Sequence, residues 1–186
     1  MPPRPKVSID DLLETAYQIA EENGIDAVNS RSIAKRVGCS IQPVFSHFPT
    51  MEILRKATFD YACEKWTKEI LVFANHEDFF AQITKWVLDL ARNKPNLFKL
   101  LCLSDRFHGE SMIDIIMKFE CNKQMLEVMV TKYDLPLETC KDIIMRCGLF
   151  LLGICTMISI NHVPFTDEEV DSLMIKTIRD MVNGAK

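Results

Sequence analysis

An all-α protein of about nine helices is predicted by three features of the sequence. Apolar residues recur at helical spacing in one segment after another, no stretch alternates as a half-buried strand would, and the breaks carry Gly, Pro and Asn. The chain has 186 residues, 48 % of them apolar, which is too many for disorder and enough for a small domain joined to a larger one.

The first helix opens at Ser8, where Asp11 three residues on resembles a capping box, and Ile9, Leu12, Leu13, Ala16, Ile19 and Ala20 then repeat at helical spacing. Gly24 ends it. After a connection over 25–29, the stretch SRSIAKRVGCSIQPVFSHF at 30–48 reads as a helix-turn-helix. Two helices crossing closely need a small contact residue, a turn residue that accepts positive φ and an aliphatic plug, and Ala34, Gly38 and Val44 supply them. Ser40 is the expected cap of the second helix, with Pro43 tolerated in its first turn because the N–H groups there have no intrahelical partner. The same three seam residues also fit an ordinary helical hairpin. What favours DNA is the exposed side of the second helix, where Gln42, Ser46 and His47 replace a Lys/Glu mixture with groups that read base edges. Arg31 and Lys35, four apart, suit phosphate contacts.

Pro49-Thr50 starts a long fourth helix with Ile53, Leu54, Ala57, Tyr61 and Trp66 on its buried side. Beyond about residue 75 the chain becomes rich in Phe, Met, Leu and Cys, and helices are expected at 78–92, 96–104, 111–132, 137–161 and 167–182. Breaks fall at Asn93-Lys94-Pro95, Gly109, Asp134 to Pro136 and Val163-Pro164, and Ser111 and Thr166 are the expected N-caps, the latter completed by Glu169. The expected division is 1–50 for the helix-turn-helix domain and 51–186 for the rest, with the fourth helix linking them.

Composition narrows the function classes. Seven cysteines, at 39, 63, 102, 121, 140, 147 and 155, sit among apolar neighbours without C-x-x-C or metal-ligand spacing, so buried thiols in a reduced, cytoplasmic protein are expected, with no metal and no cofactor. The N-terminus MPPRPKV has no apolar region of a signal peptide behind it. Gly148 to Ile160, the longest apolar stretch, is shorter than the ~20 residues of a bilayer span and reads as a fully buried helix, so no membrane is expected. No nucleophile elbow, Walker loop, dinucleotide fingerprint or H-E-x-x-H is present, and the histidines at 47, 76, 108 and 162 lie in separate segments. Asp105 and His108 have i, i+3 spacing that could ligate a metal, yet the Glu-x-x-His pairs of helical di-iron proteins are missing, so an enzyme is not expected. Net charge is −4, and residues 1–60 carry seven Lys/Arg against eight Asp/Glu, or −1, which opposes nonspecific polyanion binding and leaves specific binding dependent on placement.

With the first helix, Gly24, the Ala34-Gly38-Val44 seam and the Phe45-Ser46-His47-Phe48-Pro49 junction, the first ~60 residues resemble the tetracycline-repressor (TetR/AcrR) family of bacterial transcription regulators. The resemblance implies an all-helical homodimer, with an N-terminal three-helix DNA-binding domain and a C-terminal domain that binds a small inducer and forms the dimer. It makes Ile41 to Phe48 the recognition helix, with Gln42, Pro43, Ser46 and His47 toward the bases. Phe45 stands where the family usually has a phosphate-binding tyrosine, and Met51 where a lysine is common. These departures shift weight to Ser30, Arg31, Ser40 and the tail residues Arg4 and Lys6, and leave open whether Lys56, one or two turns on, compensates.

Two-fold symmetry then implies a palindromic double-stranded operator. Leu149, Leu152, Gly153 and Met157, facing Leu173, Ile178 and Met181, would give a four-helix dimer seam, or else the core of one subunit. For a lipophilic small-molecule inducer, the resemblance points to Trp86, Leu90, Phe98, Leu101, Phe107, Met117, Phe119, Cys121, Met125 and Phe150, a stripe that also fits plain core. The predicted function is a repressor released from its operator by that inducer. The alternative is a ligand-binding or interaction protein that keeps the helix-turn-helix shape with weak or no DNA binding.

Overall fold

The computed structural model describes residues 7–72, 79–104, 111, 113, 114, 117 and 120–186. Among them are nine α-helices and no strand: α1 (Ile9–Asn23), α2 (Ser30–Val37), α3 (Gln42–His47), α4 (Met51–Leu71), α5 (Phe79–Asn93), α6 (Pro95–Cys102), α7 (Glu120–Tyr133), α8 (Leu137–Asn161) and α9 (Asp167–Gly184). A 3-10 turn, Ile25–Ala27, joins α1 to α2. The expected helices at 137–161 and 167–182 coincide with α8 and nearly with α9. That expected at 96–104 starts and ends earlier, because Pro95 takes the first helical position. Of the span expected at 111–132, only α7 is a continuous described helix, and the remainder falls partly outside the described residues.

Helix ends follow local chemistry. Ser8 caps α1 and exchanges two hydrogen bonds with Asp11, and Thr166 does the same for α9 with Glu169. The Oγ of Ser111 accepts from the Asp114 backbone N–H at 3.2 Å, the bond expected of a cap. α8 ends at His162, a non-glycine residue at φ 56°, whose N–H bonds back to the Ile158 carbonyl.

Cα packing divides the chain into two compact units, residues up to 65 with Lys94–Leu103, and Trp66–Asn93 with Ser104–Lys186. This departs from a boundary at residue 50: about the first four turns of α4, to Lys65, and the whole of α6 belong to the first unit. In that unit α1 packs against α2 and α6 around buried Leu12, Ala16, Ile33, Val44, Leu54, Leu97 and Phe98. In the second, α8 packs on α5, α7 and α9, burying Leu88, Met129, Cys140, Ile144, Cys155 and Val170. By length and apolarity alone α8 could cross a bilayer. Here one of its faces is the centre of the second unit while Leu149, Phe150, Met157 and Ile160 are exposed, so the helix is half-buried where the sequence reading expected full burial.

Cys140, Cys147 and Cys155 are buried, whereas Cys39, Cys63 and Cys102 are half-buried, short of the burial that the sequence reading expected. Burial pushes the second unit's Cys147 thiol up to about 11 and its Cys155 thiol to about 12, while Cys63 on α4 is pushed up to about 12 by burial and the nearby Asp60.

Within the first unit, Glu14 of α1 accepts from Tyr61 Oη at 2.7 Å, from Lys65 Nζ at 2.9 Å and from Gln18 Nε2 at 3.1 Å. Lys65 also lies 4.4 Å from the Tyr17 ring centroid. The Lys65 bond, helped by Tyr61, holds the Glu14 carboxyl below its ordinary 4.5, and Glu14 in turn pushes the Tyr61 phenol up to about 12. A carboxyl lowered by folding contributes stability above its unfolded pKa and loses it as pH falls through the folded value. The raised phenol contributes below its ordinary 10.0 and loses that contribution as pH rises through about 12. Glu14→Gln should therefore flatten the acid limb: below about pH 4.5 the urea midpoint of the native protein falls more steeply than that of the variant. Parallel acid limbs would show that the Glu14 cluster does not titrate with folding.

Candidate nucleic-acid interface

Helix α2 is fixed at both ends. Asn29 in extended backbone accepts at Oδ1 from the N–H groups of Arg31 (3.1 Å) and Ser32 (3.0 Å), and the Asn29 N–H donates to Ser32 Oγ at 3.1 Å. At the other end Gly38 sits in the left-handed region at φ 77°, and the N–H groups of Gly38 and Cys39 both reach the Ala34 carbonyl at 3.0 Å. A side chain at Gly38 would meet nothing within 4 Å, so the requirement there is conformational and not steric. Ala34 and Val44 are buried where α2 meets α3, as the seam demanded.

The start of α3 departs from expectation. Its N-cap is Ile41, already helical at φ −70°, and no side chain caps it. Ser40 precedes it and is exposed. Pro43 in the first turn removes one N–H that a cap would otherwise satisfy. The helix closes on buried Phe48, whose N–H donates to the Val44 carbonyl at 2.8 Å.

Burying Val44 and Phe48 turns Gln42, Phe45, Ser46 and His47 outward, with Pro43 half-buried. This face carries amide, hydroxyl and imidazole groups and no carboxylate, lysine or arginine. Cations flank it. Arg31 and Lys35 are exposed on α2 and have no ion pair among the described residues. Arg36 instead grips Glu22 of α1 through both guanidinium ends, which lowers the Glu22 carboxyl and raises the guanidinium. Lys56 is exposed and pairs with Asp60 at 2.6 Å one turn on, an arrangement that solvent weakens and a phosphate can displace. Ser30, expected at the DNA backbone, is only 6 % exposed because the first turn of α2 faces the core, so its hydroxyl is withdrawn from that role. Arg4 and Lys6 lie outside the described residues.

Sequence reading missed the Asn29 cap, the Glu22–Arg36 fork and the outward exposure of Ile41. The cap had a signal in Asn29-x-x-Ser32, a variant of the usual box with Ser in place of Glu or Gln. The fork joins residues fourteen apart on different helices and had none.

The residues expected to surround a ligand are divided between the two units. Phe98 and Leu101 are buried in the first unit; Leu90 and Met125 are buried and Trp86 half-buried in the second, where Trp86 stacks on Trp66 at 5.8 Å. Phe150 is exposed on α8 and Met117 half-buried, while Phe107, Phe119 and the side chain of Cys121 lie outside the described residues. A groove of about 480 Å³ in the second unit runs between α5, α7 and α9, lined by Phe80, Thr84, Lys132, Met174 and Arg179 among others, and takes only Ile178 from any expected site.

Of the expected dimer residues, Leu149, Gly153 and Met157 share an exposed stripe of α8 with Phe150 and Ile160, and Leu173 is exposed on α9. Leu152 is half-buried. Met181 and Ile178 turn into their own protomer, Met181 against Cys147 at 3.8 Å and Ile178 into the groove.

This geometry defines an all-helical protein with an N-terminal helix-turn-helix presenting a polar face between cations. Residues 12–58 match the family model of bacterial regulatory proteins, tetR family, so this segment is similar to the N-terminal domain of that family. None of the curated proteins matches the chain. Among solved structures, the multidrug binding protein EbrR complexed with ethidium has the same fold at TM-score 0.58 and 12 % identity, over 90 % of this chain and 96 % of that one. A TetR transcriptional regulator from Rhodococcus sp. RHA1 does so at TM-score 0.55 and 14 % identity, over 95 % of each chain.

Proposed function

We propose that the chain is a dimeric, sequence-specific repressor that leaves a palindromic operator when a small lipophilic molecule binds its second unit. The observation that carries this reading is the outward face of α3, with Gln42, Ser46 and His47 exposed beside Arg31 and Lys35, which have no ion pair among the described residues. In it, Gln42, Pro43, Ser46 and His47 contact bases, Arg31, Lys35 and Ser40 contact phosphates, and Arg4 and Lys6 extend the basic surface. The exposed apolar stripe of α8 supports a second copy as partner. EbrR, of the same fold, was crystallised with ethidium, which supports a lipophilic compound as the inducer class. Release follows if the inducer favours a dimer conformation whose recognition helices no longer match the groove spacing.

Selection of bound sequences from a random DNA pool at physiological salt tests this, and enrichment of an inverted repeat is the expected result. On that operator, Gln42→Ala and His47→Ala should each reduce discrimination against scrambled DNA by about 1–3 kcal/mol, measured by competition. Unchanged discrimination in both variants would remove these two residues from the reading role. The second reading, an interaction protein, draws on the pairing of Arg36, Arg55 and Lys56 with acids of the same unit, which leaves few free cations for phosphates. Selection that enriches nothing would favour it.

A further inference from the structure

Two apolar side chains stand in the open on the helix that presents the polar face. Ile41 and Phe45 are each 47 % exposed, while Val44 and Phe48 of the same segment are buried. Spaced by four residues at helical φ and ψ, they lie on one face of α3, next to Gln42 and Ser46. Neither can donate or accept a hydrogen bond. The only apolar group that a base pair offers in the major groove is the thymine C5 methyl.

We propose that Ile41 and Phe45 form an apolar contact that selects thymine, through its methyl group, at one position in each operator half-site. This rests on the DNA-reading role proposed for α3 and names the chemistry of part of that reading. The pair is continuous with the polar groups of the same face, and the exposed cations of α2 fit a polyanionic partner better than an apolar protein surface. Phe45 has no hydroxyl with which to bond a phosphate, so its ring gives up water only against another apolar surface. The C5 methyl projects near the outer edge of the groove, where a side chain reaching toward the backbone meets it. Such a contact distinguishes thymine from cytosine and from uracil, which pairs identically with adenine and lacks only the methyl.

The test uses the native protein and its selected operator, with deoxyuridine placed at each thymine in turn, symmetrically in both half-sites. Burial of one methyl is worth roughly fourfold in affinity, so two half-sites should give a loss of roughly tenfold or somewhat more at one symmetric position. The loss should vanish in Phe45→Ala or Ile41→Ala and persist in Phe45→Leu, which keeps an apolar contact. Because the first comparison alters only the DNA, it does not depend on how any variant folds. Equal affinity for the thymine and fully deoxyuridine operators, with scrambled DNA still rejected, would overturn the methyl contact and leave the reading helix standing. Failure to discriminate operator from scrambled DNA would overturn both.

Discussion

Phe98→Ala should cost the first unit about 3–5 kcal/mol of stability, read as a lower urea midpoint at unchanged slope. Phe98 is fully buried on α6, whose eight residues also bury Leu97, Leu100 and Leu101. An isolated helix of that length is not stable in water, so its packing on α1 must hold it. Polar contacts fix the docking: Asn96 Nδ2 donates to the carbonyls of Glu21 and Glu22 at 3.1 Å, which are orphan acceptors at the end of α1, and Lys94 pairs with Glu21 at 3.0 Å. Removing the ring leaves a cavity that these anchored neighbours cannot fill. If Phe98 instead formed the wall of a ligand cavity, alanine would alter ligand affinity with little change in stability. A loss below about 1 kcal/mol would therefore refute its place in the α1–α6 core.

That residue also shows where sequence reading stops. The spacing of Leu97, Phe98, Leu100 and Leu101 makes α6 visibly amphipathic, yet periodicity does not say which other helix receives its buried face. Nothing local distinguishes packing on α1, some 75 residues away, from packing on the helices around it. Features set by local chemistry were legible. Ser8 and Thr166 cap their helices as the sequence indicated, Gly38 takes positive φ, and Ala34 and Val44 are buried. Ser40 failed as a cap because Ile41 itself adopts helical angles and Pro43 removes a donor, a competition between neighbours that spacing rules do not rank. In the candidate interface, the outward placement of Gln42, Ser46 and His47 follows from the buried Val44, whereas the burial of Ser30 depends on how α2 lies on its unit. The family resemblance places Phe150 among ligand residues through the helix it belongs to. Its exposure beside Leu149 and Gly153 groups it with the stripe.

On the proposed dimer, Leu149→Glu combined with Met157→Glu should convert the protein to a monomer at micromolar concentration in sedimentation and weaken operator binding by about a hundredfold or more, since two linked half-site contacts become independent. Leu149, Phe150, Gly153, Met157 and Ile160 recur at three and four residues along α8, forming one exposed apolar stripe that a soluble monomer has no reason to maintain. The glycines sharpen the argument. Gly148 and Gly153 lie in the interior of a helix, are exposed, and would have nothing within 4 Å of an added side chain in their own protomer. Each costs about 0.5–1 kcal/mol relative to alanine, a loss that no contact among the described residues explains. A second helix approaching closely does explain it, because a missing Cβ lets backbones come together. Leu173 on the neighbouring α9 extends the apolar surface, and two such helix pairs related by a two-fold axis make a four-helix seam. Gly153→Ala then separates the possibilities: if the stripe faces a partner, the added methyl weakens the dimer. If the stripe faces only water, it stabilises the chain by about 0.5–1 kcal/mol and changes neither assembly nor DNA affinity. The second result, with the double glutamate variant still binding its operator as tightly as the native protein, would assign the stripe to no dimer at all.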